Sequence, residues 1–239
     1  MSVFVQSKLL PSGHSIPSLA LGMFQSSPGA EAYNAVLTAL KLGYRHIDTA
    51  TFYENEGDVG RAIRDSGISR KEIFVTSKYF EMHGWSYHRV VNSVRESNRE
   101  LGLGFGKGHL LKLAKTWRVK PAVNQVELHP WLARRDTVKF CEDQGIILEA
   151  YSPLAQGKKM DDPVIMEIAK ELNATQAQVM VAWSLAKGFI ALPKSVRESH
   201  IKSNLDASNQ KLSVNQMMKL GNLDEYFISG WDPIRHHNV

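Results

Sequence analysis

Two spacings of apolar residues alternate along the chain. Short apolar runs that close on a polar, charged or glycine residue occur at Ser18–Leu21 before Gly22, Tyr44–Asp48, Ile73–Lys78, Ala122–Glu127, Ile146–Tyr151 and Phe189–Lys194. Runs this short, bounded by turn residues, predict buried strands. Between them apolar residues recur at helical spacing. Tyr33, Val36, Leu37 and Leu40 follow Ser27-Pro28, a cap residue with proline in the first turn, and stop at Gly43. Asn55–Ser66 predicts a second helix ended by Gly67, and Ser86–Leu101 a third. Further helices are expected at Asp136–Gln144, Pro163–Leu172, Ala174–Ala186 and Ser213–Leu220, and Ser69–Glu72 has capping-box spacing. Ahead of all this, Val3–Leu9, the turn Pro11-Ser12-Gly13 and His14–Pro17 predict a small hairpin. Strand and helix alternate in units of about thirty residues, which predicts a parallel α/β fold, with a closed (β/α)8 TIM barrel as its leading form. One domain spanning residues 1–239 is the expectation at this length.

Composition narrows the classes. With 43% hydrophobic and 22% charged residues the chain is ordinary globular material. A formal net charge of +5 without any Lys/Arg block argues against nucleic acid. The single cysteine, Cys141, forbids an internal disulfide and points to a reducing, cytoplasmic setting. The N-terminal MSVFVQSKLL has no long apolar run, so neither a secretory signal nor a membrane span is expected. Oligomeric state and the identity of a substrate are not legible.

The chemistry concentrates at strand ends. Asp48 closes one apolar run, Tyr53 comes five residues later, and Lys78 closes the next run. An ammonium beside a phenol favours the phenolate, and a buried carboxylate keeps that ammonium charged. The trio therefore suits a tyrosine able to give a proton near neutral pH. Other motifs fail. Gly102–Gly108 lacks the Ser/Thr of a phosphate loop and stands after a helix rather than a strand. His236-His237 has no Cys or carboxylate partner for a metal.

The stretch Gly43–Gly60, GYRHIDTATFYENEGDVG, resembles the first signature of the aldo-keto reductases. SLALGMFQ, FVTSK, KPAVNQVELHPW, EAYSPLAQGK, LPKSV and GWDP agree with the same family over nearly the whole chain. The resemblance implies reduction of small aldehydes or ketones by NADPH, with hydride transfer from the nicotinamide and no metal. It implies Tyr53 as general acid, Lys78 lowering its pKa, and Asp48 pairing with Lys78. Gly22, Met23, Asp48, Gln125 and Tyr151 would meet the nicotinamide. Ser152 and Leu154 would line the pyrophosphate path. Lys194, Ser195, Val196, His200 and Asn204 would hold the adenosine 2′-phosphate. His200 stands where the family usually has arginine, so NAD is a possible second cofactor. Phe24, Phe80 and Trp231 would wall the substrate, the hairpin would plug the barrel floor, and His129 would be structural.

The resemblance has one hole. Six barrel strands are legible rather than eight. After the third helix the family carries a fourth strand with a catalytic histidine, a fourth helix, and a fifth strand ending in Ser-Asn. Here the chain passes at 103–104 almost directly to residues resembling those that the family places after its fifth strand; His109 is a poor replacement for the histidine. Roughly forty residues are at stake by the usual unit length. Either the protein carries a segment that this sequence does not show, which the intact flanking matches favour, or it is a true deletion. In the second case it would be an impaired enzyme or a non-enzymatic nucleotide-binding or partner protein.

Overall fold

A computed structural model describes residues 5–78 and 120–230. The expected third helix, the glycine run at 102–108, His109, and the junction at 103–104 lie outside the described residues, as do Phe80 and Trp231. The hairpin is present: β1 (Ser7–Leu9) pairs antiparallel with β2 (Ser15–Pro17). Its Ile16 is buried in a small apolar cluster with Ala20, Ile190 and Leu192. That contact seats the hairpin against one end of the sheet.

Two parallel three-stranded sheets come next. The first has the order β3 (Leu21–Gly22), β4 (His46–Asp48), β5 (Phe74–Thr76). The second has the order β6 (Val123–Glu127), β7 (Ile147–Tyr151), β8 (Ile190–Ala191). Parallel bridges between Leu19 and Ala191, and between Gly22 and Lys194, join β3 to β8. The result is one curved run of six barrel strands among the described residues. Gly22 sits on this seam. A methyl group there would meet the Leu192 carbonyl oxygen at 2.9 Å, so only glycine lets the two strands approach so closely.

Helices α1 (Ala30–Leu42) and α2 (Glu56–Asp65) cover the first sheet. Helix α1 begins two residues later than Ser27-Pro28 suggests. Ser27 does not cap it; its backbone N–H donates instead to Glu31 at 2.7 Å, leaving Gly29 as the cap position. It ends as expected, on Gly43 in the left-handed region at φ 112°. Ser69–Glu72 also differs from its pattern. A 3₁₀ turn forms at Arg70–Glu72 with no side-chain cap, because only one turn separates α2 from β5.

The second sheet carries α3 (Arg135–Gln144), α4 (Pro163–Glu171), α5 (Gln176–Ala186), α6 (Glu198–Asp206) and α7 (Val214–Gly221). Thr175 and Ser213 close complete capping boxes with Gln178 and Gln216. Asp162 caps α4, with Pro163 at its first position. Buried apolar residues form one core under α1, α2 and α6 and a second under α3, α4, α5 and α7. Tyr44 binds the first core to α6: it is fully buried, and its hydroxyl donates to the Ile201 carbonyl at 3.1 Å. No helix among the described residues is long and apolar enough to cross a membrane.

Candidate active site

The strand ends of β3, β4 and β5 converge. In register Gly22 faces Asp48, and Asp48 faces Thr76. Asp48 is buried and its two carboxylate oxygens do different work. Its Oδ1 accepts from Lys78 Nζ at 2.6 Å, and its Oδ2 accepts from Gln125 Nε2 at 2.9 Å. The second bond crosses the interior from β4 to β6. Lys78 lies just past β5 and also donates to the Thr49 carbonyl at 2.7 Å. Its own carbonyl accepts from the Thr51 backbone N–H at 3.0 Å and the Thr51 hydroxyl at 2.9 Å. These bonds fix both ends of the lysine, so its ammonium cannot swing to solvent.

Thr51–Tyr53 form a 3₁₀ turn that carries the phenol over this pair. Lys78 Nζ stands 5.1 Å from the Tyr53 ring centroid. Asp48, Tyr53 and Lys78 are thus brought together. One expectation needs correction. Burial and the Asp48 carboxylate push the Tyr53 phenol above its ordinary value, the reverse of the lowering expected from Lys78. The reason is geometric. The ammonium is spent on Asp48 and Thr49, and it stands over the ring, 5.1 Å from its centroid. Tyr53 therefore keeps its proton through the neutral range.

A buried asparagine that sequence reasoning missed ties the next loop to the site. Asn55 accepts from the Thr49 hydroxyl at 2.6 Å and donates to the carbonyls of Met23 and Ser26 at 3.1 Å each. The Met23 backbone N–H donates to the Asp48 carbonyl at 2.9 Å. Gly22 and Met23 are held against the strand end, while Phe24 is exposed and tilts against Tyr53 with ring centroids 5.2 Å apart. Phe52, also missed, is an exposed aromatic in the same 3₁₀ turn. Its place directly before Tyr53 was the available signal.

The residues expected to hold a cofactor lie along two lines. Gln125 is buried in the interior beside Asp48, and Tyr151 is half-buried at the end of β7. The loop beyond β7 runs through Ser152, Ala155 and Gln156 with φ of 46°, 47° and 52°. Non-glycine residues in the left-handed region are costly and cluster at ligand-binding loops. Leu154, between them, is half-buried. On the other line, Lys194 donates to the Gln25 carbonyl at 3.0 Å, bridging β8 to the Met23 loop. The Ser195 hydroxyl accepts from the Arg197 backbone N–H at 3.2 Å at the entry to α6, beyond Val196. His200 is exposed on the first turn of α6, but Asn204 is buried. A buried amide, Gln125, at one end and Lys194, the exposed Arg197 and a helix N-terminus at the other fit a dinucleotide bearing anionic groups.

Away from this region, His129 is buried against Glu127, its Nε2 lying 3.1 Å from Oε1, consistent with a structural role. The same Glu127 oxygen accepts from the Ser229 backbone N–H at 2.8 Å. Among the described residues no cluster of His, Cys, Asp and Glu could hold a metal ion.

Known proteins resemble this chain over most of its length. The model of the aldo/keto reductase family matches residues 18–105 and 104–225, two stretches that abut where the sequence shows its hole. Glyoxal reductase of Bacillus subtilis (strain 168) is 35% identical over 254 aligned positions, covering 90% of this chain and 92% of the relative. Glycerol 2-dehydrogenase (NADP(+)) of Saccharomyces cerevisiae is 34% identical, with 82% of this chain and 84% of the relative covered. Among solved structures, MGS-M4, an aldo-keto reductase enzyme from a Medee basin deep-sea metagenome library, superimposes with a TM-score of 0.86 at 29% identity. That match covers 98% of this chain and 100% of the other.

Proposed function

Because the chain belongs to the aldo/keto reductase family, and is thereby a (β/α)8-barrel oxidoreductase, we propose that it reduces small aldehydes or ketones to alcohols with NADPH. The observation that carries this reading is the buried Lys78–Asp48 pair, 2.6 Å apart, directly beneath the Tyr53 ring. Bound NADPH would supply the hydride. Gly22, Met23, Gln125 and Tyr151 would hold its nicotinamide. Ser152 and Leu154 would line its pyrophosphate path, and Lys194, Ser195, Val196, His200 and Asn204 its adenosine end. Substrate carbonyl oxygen would lie against the Tyr53 hydroxyl, with Phe24 and Phe52 excluding water from one side.

Reduction develops negative charge on that oxygen, and a donor must be loaded with a proton before the event. The raised pKa of Tyr53 keeps it loaded. Lys78, held charged by Asp48 and 5.1 Å from the ring centroid, would offset part of the negative charge on Tyr53 once its proton has left, although it does not lower the pKa of the resting phenol. The reverse reaction, alcohol oxidation, needs the phenolate first and is disfavoured until alkaline pH. Relatives named for glyoxal reduction and for NADP(+)-dependent glycerol oxidation support this substrate class and cofactor. A cytoplasmic location accords with the single free, buried Cys141.

Tyr53→Phe tests the assignment. Turnover of NADPH with an aromatic aldehyde should fall at least about 100-fold while NADPH affinity stays within a few-fold, because only the proton donor is lost. Turnover within a few-fold of the parent protein refutes the role.

A second reading is favoured by the two abutting family matches and by 254 aligned positions for a chain of 239 residues. In it, the junction at 103–104 lacks a segment that the relatives carry, together with one donor to the developing alkoxide. Such a loss costs roughly 100- to 1000-fold in rate, leaving an impaired, nucleotide-binding protein. An intact mass of 26.8 kDa together with no aldehyde reduction selects this reading. Full activity at that mass discards it.

A further inference from the structure

Glu149 carries no role legible in the sequence, yet it occupies the centre of the interior. On the parallel pair β6–β7 it is the register partner of Gln125, so both side chains point to the same inner face. Glu149 is 2% exposed. Its Oε2 accepts from Gln125 Nε2 at 2.9 Å, the same nitrogen that donates to Asp48 Oδ2 at 2.9 Å. An amide nitrogen has two hydrogens and no accepting lone pair. Both hydrogens are consumed by the two acids.

That fixes which way Gln125 faces. Flipping the amide would set its carbonyl oxygen against two carboxylate oxygens, with no hydrogen between them. Asp48 alone would oppose the flip through one oxygen–oxygen contact; Glu149 adds a second and takes up the amide hydrogen that Asp48 leaves unpaired. Asp48 is also committed to Lys78 through its other oxygen. Glu149 has no such second commitment. Its nearest basic group, His46 Nε2, is 3.8 Å away, too far for a hydrogen bond, and is already engaged by the Thr76 hydroxyl at 2.9 Å. Burial and the Asp48 carboxylate raise the Glu149 carboxyl to about 7, and it is the ionised form, which only accepts, that holds Gln125 Nε2 without an alternative.

We propose that Glu149 is a positioning residue: with Asp48 it clamps the Gln125 amide so that the carbonyl oxygen is the end offered to a ligand N–H, namely the carboxamide of a nicotinamide ring. The inference rests on the reading of the chain as an NADP(H)-dependent reductase and adds the group that orients its nicotinamide contact. Glu149 acts through Gln125 and touches no reacting atom.

The test compares binding of NADP⁺ with that of its acetylpyridine analogue, in which a methyl ketone replaces the carboxamide and offers no N–H. Calorimetric titrations are run on the full chain and on Glu149→Gln and Glu149→Met. The parent protein should prefer NADP⁺ by about tenfold, the worth of one good hydrogen bond. Glu149→Gln keeps an acceptor and should keep that preference. Glu149→Met, similar in length but apolar, should reduce it to within about twofold while leaving analogue affinity unchanged. A full preference retained by Glu149→Met overturns the proposal, and so does its loss in Glu149→Gln. Glu149→Leu replaces Glu149→Met should the latter not fold. If the parent protein binds neither nucleotide, the reductase reading itself falls. If it binds both equally, the Gln125 contact falls. Each of those results is distinct from a failure at Glu149.

Discussion

Replacing Glu149 with glutamine also interrogates the electrostatics of the barrel interior without presuming any reaction. The carboxyl's pKa rises from 4.5 to about 7 in the folded chain, chiefly through burial and then through the Asp48 charge. Between those two values the folded protein holds a proton that the unfolded chain has released. The stability tied to that proton is full below about pH 4.5 and is lost as pH rises through about 7. At about 1.4 kcal/mol per pH unit, the span corresponds to a ceiling of about 3 kcal/mol. Glutamine removes the dependence while keeping shape and acceptor. Relative to the parent protein, Glu149→Gln should therefore gain up to about 3 kcal/mol between about pH 4.5 and about pH 8. For a chain of this size that is a relative rise in Tm of roughly 6–12 °C. His46 carries a dependence of opposite sign. Burial depresses it to about 4, so it costs stability as pH falls below its unfolded value. Both proteins retain it, and whatever the loss of Glu149, 3.8 Å away, changes in it is confined below about pH 6.5, its unfolded value. Urea unfolding monitored by the fluorescence of buried Trp131 and Trp183 at several pH values gives the curve directly. A stability difference that stays constant across this pH range would refute the reasoning, because an uncharged role for Glu149 predicts an offset rather than a slope.

The geometry carries three further expected outcomes. Gly22→Ala sets a methyl against the Leu192 carbonyl at 2.9 Å; it should destabilise the fold by about 1–3 kcal/mol, seen as a lowered urea midpoint. Asn55→Ala removes three buried hydrogen bonds and strands the Thr49 hydroxyl; a loss of about 2–4 kcal/mol is expected, with weakened NADPH binding in fluorescence titration. His200→Arg should tighten NADPH more than NADH, since His200 is exposed on the first turn of α6 and arginine offers a forked, permanently charged donor. Equal effects on both nucleotides would remove the 2′-phosphate from that position.

The strands and helices are legible in the sequence because each is bounded by residues with a single local use. Gly43 at φ 112° acts within one turn of chain and is legible from its place after an apolar helical pattern; capping boxes are less so, since the spacing read at Ser69–Glu72 forms none while those at Thr175 and Ser213, not read from the sequence, are complete. Asp48 and Lys78 are legible as strand-end residues for the same reason. Features that depend on contacts across the interior stay hidden. Asn55 reads as an ordinary helix cap, and only the fold shows it holding Met23 and Ser26. Glu149 sits in an apolar run where an acid is unexpected, and that oddity is its sole signal. The direction of the Tyr53 shift is misread from sequence because Lys78 is visible there, while its engagement by Asp48 and Thr49 is not.

The seam between β3 and β8 pairs Leu19 with Ala191 and Gly22 with Lys194, residues from opposite ends of the described chain. Contacts between such remote partners form late, because most of the intervening polypeptide must be ordered before they can close. The neighbourhood of Met23 and Lys194 exists only once that meeting has happened. On dilution from denaturant, helical circular dichroism should return first and nucleotide capture should trail it. The slow step would lengthen with any substitution that loosens Gly22.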